Sequence, residues 1–287
     1  MSRSVARYRP TVKFLAHAMI SPPMVLKRNL VLRERTGVRV AAYQAPLLTA
    51  GCMDALDLIR TQIKRCESEC ITILCCPEAI LGGLADNHRS PSQFAIAANT
   101  STLKRALSPL ASETVTIIVG FTELGDRGQI YNSAAVFQRG EVVGLYRKQY
   151  PAIRRSVYSA GHEVPIFRVE DFTFGIVICN DSNYPELARQ LAEQGATALF
   201  VPTNNGLPPN GRGAELTAKA RKCDIASAVE NSMWVIRADV AGHAVGLVSY
   251  GSSEIVDPQG IVIRSAQPMC EDLIIADIQA GRDVQQP

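Results

Sequence analysis

From residue 38 onward, the distribution of apolar residues predicts short β-strands that alternate with amphipathic helices. Apolar β-branched runs indicate strands, and apolar residues at helical spacing indicate helices. The first half has predicted strands at 38–43, 71–76 and 115–120, helices at 52–70 and 91–110, and a hairpin at 132–146. The second half has predicted strands at 172–178, 198–202 and 234–239, helices at 185–194 and 213–230, and a hairpin at 252–263. Strands and helices in this order are typical of an α/β fold.

The two predicted hairpins are similar in sequence. Residues 132–143 can be aligned with residues 252–263 so that the turn glycines, Gly140 and Gly260, stand in register. We therefore interpret the chain as two pseudo-equivalent halves.

Three chemically reactive side chains each follow a predicted strand. Cys179 ends an apolar run and precedes a polar turn and a helix that begins with Pro185. The free N–H groups and the dipole of a helix start favour a thiolate, so we expect a nucleophile there. Glu78 follows Pro77 at the end of another strand, and Lys148 follows the first hairpin. Taken singly, a packed cysteine, a capping glutamate and a solvated lysine are the ordinary interpretations.

In chain order, these segments resemble the nitrilase superfamily of carbon–nitrogen hydrolases. The segments that carry the resemblance are Pro77-Glu78, Tyr131-Asn132-Ser133-Ala134, Tyr146-Arg147-Lys148, Ile178-Cys179-Asn180-Asp181, Val229-Glu230-Asn231-Ser232 and Tyr250-Gly251-Ser252-Ser253. The resemblance covers about residues 38–277 and implies a four-layer α-β-β-α sandwich of two mixed sheets with helices on the outer faces. It also implies a homodimer or a higher homo-oligomer.

By the same resemblance, Cys179 is the nucleophile, Glu78 the general base and Lys148 the electrostatic partner. A covalent hydrolysis needs a nucleophile, a proton shuttle and a site for the oxyanion, for which we expect Lys148 and the backbone N–H of Asn180. The expected substrate is a small molecule with a linear, non-peptide amide bond. Ser182 and Asn204 are predicted substrate contacts, although turn formation explains the Asn-Asn-Gly loop equally well.

The chain departs from the family pattern at Arg154, where many relatives carry a further glutamate. An arginine accepts neither a proton nor a hydrogen bond, but Arg154 or Arg155 at the pocket mouth could pair with a substrate carboxylate. That pairing favours an acid-amide or an N-carbamoyl amino acid, whereas the alternative is a solvated loop or a subunit contact.

Several functional alternatives stay open. They are an N-carbamoyl-amine or N-carbamoyl-amino-acid amidohydrolase, a nitrilase, and a catalytically silent binding module. A serine hydrolase has less support, since the sequence has no G-x-S-x-G elbow.

Composition narrows the class of protein further. With 47% hydrophobic residues, 20% charged residues and a formal net charge of +3, nothing calls for a nucleic acid or a membrane as partner. The eight cysteines include the adjacent Cys75 and Cys76 in an apolar strand, which is unlike a secreted disulfide framework. The absence of C-x-x-C pairs and the four scattered histidines give no support to a zinc site, so we expect neither a metal nor a cofactor. A reducing cytoplasm fits best.

The N-terminal residues differ from the rest of the chain. Residues 1–36 contain one acid, Glu34, and an excess of basic side chains, and their apolar stretch at 14–20 is too short to span a bilayer. An organellar transit peptide, an ordered arm, a flexible tail and an upstream start codon are all compatible with this composition. We expect a basic extension at 1–36, a single catalytic domain at 37–280 and a C-terminal tail at 281–287.

Overall fold

A computed structural model describes residues 37–49, 51–52, 54–152, 156–209, 212–244 and 246–279. The predicted extension at 1–36, the predicted tail and Arg154 lie outside these residues. Within the described ranges, no helix has the length and hydropathy needed to cross a membrane.

The described residues form sixteen strands and four α-helices. The strands are β1 (Gly37–Pro46), β2 (Ile73–Cys75), β3 (Ile96–Ala97), β4 (Thr116–Leu124), β5 (Ile130–Gln138), β6 (Glu141–Arg147), β7 (Tyr158–Ser159), β8 (Ile166–Val169), β9 (Phe172–Ile176), β10 (Ala198–Pro202), β11 (Trp234–Ala238), β12 (Val240–Ala244), β13 (Leu247–Tyr250), β14 (Glu254–Val256), β15 (Val262–Ser265) and β16 (Asp272–Gln279). The helices are α1 (Ala55–Ser68), α2 (Thr100–Leu107), α3 (Pro185–Glu193) and α4 (Gly213–Asn231).

The strands pair into two mixed sheets. In the ten-stranded sheet the order is β13-β12-β1-β2-β4-β5-β6, with β16 paired to β1, β3 to β4 and β7 to β5. The six-stranded sheet has the order β15-β14-β11-β10-β9-β8. Parallel pairs such as β1–β2, β2–β4 and β9–β10 occupy the centres of the sheets, and antiparallel hairpins extend them. The carboxyl ends of the central strands therefore gather at one edge of each sheet.

Three hydrophobic cores separate four layers. The first lies between the ten-stranded sheet and helices α1 and α2, where Ile59 and Leu103 are buried. The second contains residues of both sheets, such as Ile118 and Phe174, and so lies between them. The third lies between the six-stranded sheet and helices α3 and α4 and includes Leu191. This arrangement confirms the predicted α-β-β-α sandwich.

The hairpin turns also agree with the sequence pattern. Arg139 and Gly140 join β5 to β6 with φ values of 48° and 76°, both in the left-handed region that tight hairpins require. Gly260, with φ of 83°, lies in the turn between β14 and β15. The two aligned segments therefore form corresponding hairpins, one in each sheet.

The predicted helix at 91–110 is wrong in its first half. Pro91–Gln93 form a short 3₁₀ turn, and Ile96 pairs with Glu123 of β4 instead of continuing a helix. Helix α2 begins only after Asn99, whose side-chain Oδ1 accepts a hydrogen bond of 3.0 Å from the backbone N of Thr102. This N-cap satisfies a free amide of the first turn and so fixes the start of the helix.

Gly120 allows β4 to pass directly against the chain that follows β2. A Cβ atom at Gly120 would lie 2.4 Å from the carbonyl O of Pro77 and 2.5 Å from the N of Ala79. Because these are backbone atoms, we predict that Gly120→Ala lowers the free energy of unfolding by about 1–3 kcal/mol, as overpacked sites do. Denaturant unfolding measures this difference.

Gly125→Ala is the matched control, because Gly125 follows the end of the same strand. Its Cβ would meet side-chain atoms of Tyr131 and Gln129 at 2.9 Å and 3.2 Å, and both side chains can move aside. Equal losses of stability in the two variants would contradict the interpretation of Gly120.

Candidate active site

The three predicted reactive side chains follow the ends of three strands. Glu78 comes after β2, Lys148 directly after β6, and Cys179 shortly after β9. Cys179 opens a 3₁₀ turn, Cys179–Asn183, which precedes α3. Its φ of 48° is left-handed, a conformation that non-glycine residues adopt at a cost and that is frequent at functional sites. The predicted strand-to-helix corner is present.

Glu78 is held by donors from both sheets. Its carboxylate Oε1 accepts hydrogen bonds from Lys148 Nζ at 2.6 Å and from Asn132 Nδ2 at 2.7 Å. Its Oε2 accepts one of 2.9 Å from the backbone N of Asn204, which follows β10 of the six-stranded sheet. Since Glu78 is only 1% exposed, these donors take the place of water around the carboxylate.

Lys148 is the cationic partner of Glu78 and is 4% exposed. Burial by itself would lower the pKa of Lys148, but the attraction of Glu78, Cys179 and Asp181 outweighs burial and raises the pKa above its ordinary value. Lys148 therefore carries a full positive charge at neutral pH. Its backbone is also fixed, since its N donates to Asn132 O at 2.8 Å and its O accepts from Gly161 N at 2.8 Å.

The Cys179 thiol lies in the electrostatic field of the same ion pair. Burial and the negative charge of Glu78 raise the pKa of Cys179 to about 12, although Lys148 and Arg237 act in the opposite direction. The position at a helix start favours the anion, but burial and a neighbouring carboxylate oppose it more strongly. Cys179 is a neutral thiol at neutral pH and needs a base to become a nucleophile.

Asp181 fixes the turn that carries Cys179. Its Oδ2 accepts from Tyr146 OH at 2.7 Å and from Ile178 N at 3.1 Å, and its Oδ1 accepts from Tyr150 N at 2.8 Å. Burial raises the pKa of Asp181 to about 6, even though Lys148 and these hydrogen bonds oppose the shift. Asp181 thereby ties the nucleophile's turn to the end of β6.

Asn180, Ser182 and Asn204 all lie close to Cys179 or Glu78, whereas Arg154 is outside the described residues. In the 3₁₀ turn, the backbone N of Asp181 donates the first hydrogen bond, to Ile178 O. The backbone N–H of Asn180 stands one residue before this donor. The Ser182 hydroxyl donates to Cys179 O at 2.8 Å. Asn204 contacts Glu78, through its backbone N and, more weakly, through Nδ2 to Glu78 O at 3.4 Å. The substrate contacts assigned to Ser182 and Asn204 stay predictions.

Sequence reasoning did not assign the roles of Asn132, Asp181 and Arg237. Asn132 appeared only as part of a family segment, yet it holds the Glu78 carboxylate. Asp181 stands three residues after Ile178, the residue that caps the 3₁₀ turn, and at this spacing an acidic side chain accepts from the backbone N of the cap. Arg237 lies within the apolar strand β11, and a charge in such a strand indicates a buried partner.

A cavity of about 480 Å³ lies apart from these residues. Tyr131, Leu145, Arg147 and Glu163 are among its lining residues, whereas Glu78, Lys148 and Cys179 are not. Arg147 and Lys148 are neighbours in an extended segment, so their side chains point to opposite faces of the sheet. The cavity is therefore separate from the Glu78–Lys148–Cys179 cluster.

The cluster has the groups that acyl transfer requires. A buried carboxylate and an ammonium group form an ion pair, both act on the pKa of the thiol, and a backbone N–H follows the thiol directly. Among the described residues, no group of three or more His, Cys, Asp or Glu side chains is arranged to hold a metal ion.

Comparison with known proteins identifies the family of the chain. A model of the carbon–nitrogen hydrolase family matches residues 39–285. An (R)-stereoselective amidase from a Pseudomonas species is 30% identical over 217 residues, which cover 74% of this chain and 75% of the relative.

Solved structures share the fold. Saccharomyces cerevisiae Nit3, a member of branch 10 of the nitrilase superfamily, matches with a TM-score of 0.72 and 22% identity over 85% of this chain and 90% of Nit3. A mutant of the amidase from Nesterenkonia sp. AN1, with the acetamide moiety of fluoroacetamide added covalently at its active-site cysteine, matches with a TM-score of 0.68 and 21% identity over 86% of this chain and 92% of the amidase. The family match, the relative and the shared fold confirm the resemblance seen in the sequence, and the chain belongs to the carbon–nitrogen hydrolase family.

Proposed function

We propose that the protein hydrolyses a linear, non-peptide amide through a thioester on Cys179. The observation that carries this proposal is the buried Glu78–Lys148 pair, joined at 2.6 Å, beside a thiol whose pKa is raised to about 12. A neutral thiol next to a fixed carboxylate suits a reaction in which the base removes the proton only as the sulfur attacks.

In the first step, Cys179 Sγ forms a bond to the amide carbonyl carbon while its proton passes to Glu78. The carbonyl oxygen becomes an oxyanion, which the Lys148 ammonium and the backbone N–H of Asn180 stabilise. The proton then moves from Glu78 to the amide nitrogen, the C–N bond breaks, and ammonia or an amine leaves.

In the second step, Glu78 takes a proton from water as the water oxygen attacks the thioester. The tetrahedral intermediate uses the same oxyanion site, and its collapse releases the acid and returns the proton to Cys179. Lys148 keeps its charge throughout, since its raised pKa prevents it from acting as the base.

Similarity to an (R)-stereoselective amidase supports an amide as the substrate. The sequence Cys179-Asn180-Asp181 also favours the amidase and N-carbamoyl-amine branches over true nitrilases, which usually have Trp-Glu after the cysteine. Hydrolysis of an N-carbamoyl amine or amino acid is the second candidate, and the Arg154–Arg155 pair favours it. A nitrilase and a catalytically silent binding module are the remaining alternatives.

The function is tested by screening amides, N-carbamoyl amines and nitriles for release of ammonia. We expect turnover of at least one amide or carbamoyl compound, and Cys179→Ala should lower kcat by about 10⁴-fold or more while the fold is kept. Glu78→Gln should have a comparable effect, because the base is lost.

Cys270→Ala is the control for the cysteine variant, since Cys270 is exposed and far from the turn in sequence. Full activity in Cys179→Ala would refute the assignment of the nucleophile. Inactivity of the native protein on all three compound classes would favour the binding module.

The pKa of Cys179 gives a prediction for alkylation. Below a pKa of about 12 the thiolate fraction rises tenfold per pH unit. The rate constant for iodoacetamide should therefore increase about tenfold per unit between roughly pH 7 and pH 10, because only the thiolate reacts. Peptide mass spectrometry measures the rate at Cys179.

A small thiol in solution serves as reference, since its rate levels off above a pKa of about 8.5. A Cys179 rate that is already independent of pH near neutrality would mean a preformed thiolate and would contradict the raised pKa.

Arg154 and Arg155 give a prediction about substrate charge. If one of them binds a substrate carboxylate, its replacement by alanine should lower kcat/KM for an anionic amide by about one to two decades, since a charge-assisted hydrogen bond is lost. A neutral amide of the same size should be little affected. Equal effects on the two amides would leave the anionic substrate without support.

A further inference from the structure

Arg237 is a charged side chain buried in the middle of the six-stranded sheet. It lies in β11 between apolar neighbours, is 1% exposed and is among the largest fully buried side chains of the described residues. A guanidinium group in such a place needs hydrogen-bond partners for its donors, because burial removes the water that would otherwise solvate it.

Asp224 of α4 is the charge partner of Arg237. Arg237 Nε donates to Asp224 Oδ2 at 2.6 Å, and Nη2 donates to Oδ1 at 2.5 Å. This two-point contact neutralises the charge and fixes the plane of the guanidinium group.

The remaining donors of Arg237 reach the surroundings of Cys179 and Glu78. Nη2 also donates to the Ser182 hydroxyl at 3.0 Å, and that hydroxyl donates to Cys179 O at 2.8 Å. A chain of two hydrogen bonds therefore joins the buried guanidinium to the backbone of the nucleophile.

A second chain leads to the base. Arg237 Nη1 donates to Thr203 Oγ1 at 2.6 Å, and Thr203 O accepts from Glu78 N at 3.3 Å. The next residue, Asn204, donates its backbone N to the Glu78 carboxylate. The same guanidinium thus contacts both the turn that carries the thiol and the segment that holds the carboxylate.

We propose that Arg237, anchored by Asp224, is a positioning residue that sets the placement of Cys179 relative to Glu78. The left-handed φ of 48° at Cys179 makes such a support necessary, because a strained turn relaxes unless its surroundings hold it. The reaction that benefits is the proposed amide hydrolysis, so the kinetic part of the inference rests on that function.

The positive and negative side chains around Arg237 nearly balance one another. Glu254 of β14 lies opposite Arg237 on the neighbouring strand and forms an ion pair of 2.7 Å with Arg221. Asp239 follows the last residue of β11. Arg237 opposes the rise in the pKa of Cys179, and Asp239 adds to it. The contribution of Arg237 is therefore mainly geometric, with a smaller electrostatic part.

Three variants distinguish a positioning role of Arg237 from a role in stability alone. Arg237→Lys keeps the charge next to Asp224 but loses the planar fork, since an ammonium group cannot reproduce its geometry. Ser182→Ala removes the hydroxyl that joins Arg237 to Cys179 and leaves Arg237 its contacts with Asp224 and Thr203. Arg237→Met removes the charge, and Ile59→Ala is a destabilised control because Ile59 is fully buried in α1 on the far side of the ten-stranded sheet.

Each variant is measured for Tm, for kcat and KM on the amide found in the screen, and for alkylation of Cys179 by iodoacetamide. Alkylation of the exposed Cys70 in the same molecule is the internal reference. We expect Ser182→Ala to keep Tm near that of the native protein and Arg237→Lys to lower Tm, because an ammonium group leaves buried acceptors without donors. At a temperature where both variants are folded, each should lose about one decade in kcat with little change in KM, as expected for a lost charge-assisted hydrogen bond. Ile59→Ala should lower Tm without lowering kcat at a temperature where it is folded.

Arg237→Met should slow alkylation of Cys179 relative to Cys70 by about threefold to tenfold, because it removes a charge that favours the thiolate and lets the turn that carries Cys179 relax. Native kcat in both Arg237→Lys and Ser182→Ala, with a native ratio of Cys179 to Cys70 alkylation in all variants, would overturn the proposal. The alkylation ratio needs no substrate. A protein that hydrolyses no amide would thus refute the proposed function and leave the positioning role testable.

Discussion

The buried contact between Glu78 and Lys148 is the interaction on which the rest of the site depends. Removing two charges from water is costly, and their attraction offsets that cost only when the remaining lone pairs and protons also have partners. Asn132 of the ten-stranded sheet and Asn204 after the six-stranded sheet supply those partners for Glu78. Because the donors come from both sheets, the Glu78 carboxylate has its full set of partners only when the sandwich is assembled, and the fold and the site are thus coupled.

That ion pair also influences the protonation state of the Cys179 thiol. A thiolate at Cys179 would place two negative charges, with Glu78, against the single positive charge of Lys148 in a largely buried space. The neutral thiol avoids this imbalance, and it leaves the negative charge to develop on the substrate oxygen during attack. In the proposed mechanism, the raised pKa of Cys179 leaves Lys148 and the Asn180 amide to stabilise the oxyanion instead of a resting thiolate.

The sequence predicted the parts of the site that depend on local pattern. Strand ends placed Glu78, Lys148 and Cys179, the order of strands and helices predicted an α/β fold, and the family resemblance implied the sandwich. The support from Asn132 and Arg237 could not be predicted, since Asn132 meets Glu78 across 54 residues and Arg237 meets Ser182 across 55. The raised pKa of the Cys179 thiol could not be predicted for the same reason: the helix start is local, whereas burial and Glu78 act through the tertiary structure. Helix α2 is shorter than predicted because pairing of β3 with β4 overrides the helical pattern.

The turn at Cys179 is held from two sides. Asp181 ties it to Tyr146 and Tyr150 at the end of β6, and Ser182 ties it to Arg237 of β11. The first link leads to the ten-stranded sheet and the second to the six-stranded sheet, so the sulfur is positioned with respect to both. Glu78 is positioned with respect to the same two sheets through Asn132 and Asn204. A base and a nucleophile that share both supports keep their separation when either sheet moves slightly. This arrangement satisfies the demand that proton transfer places on their geometry.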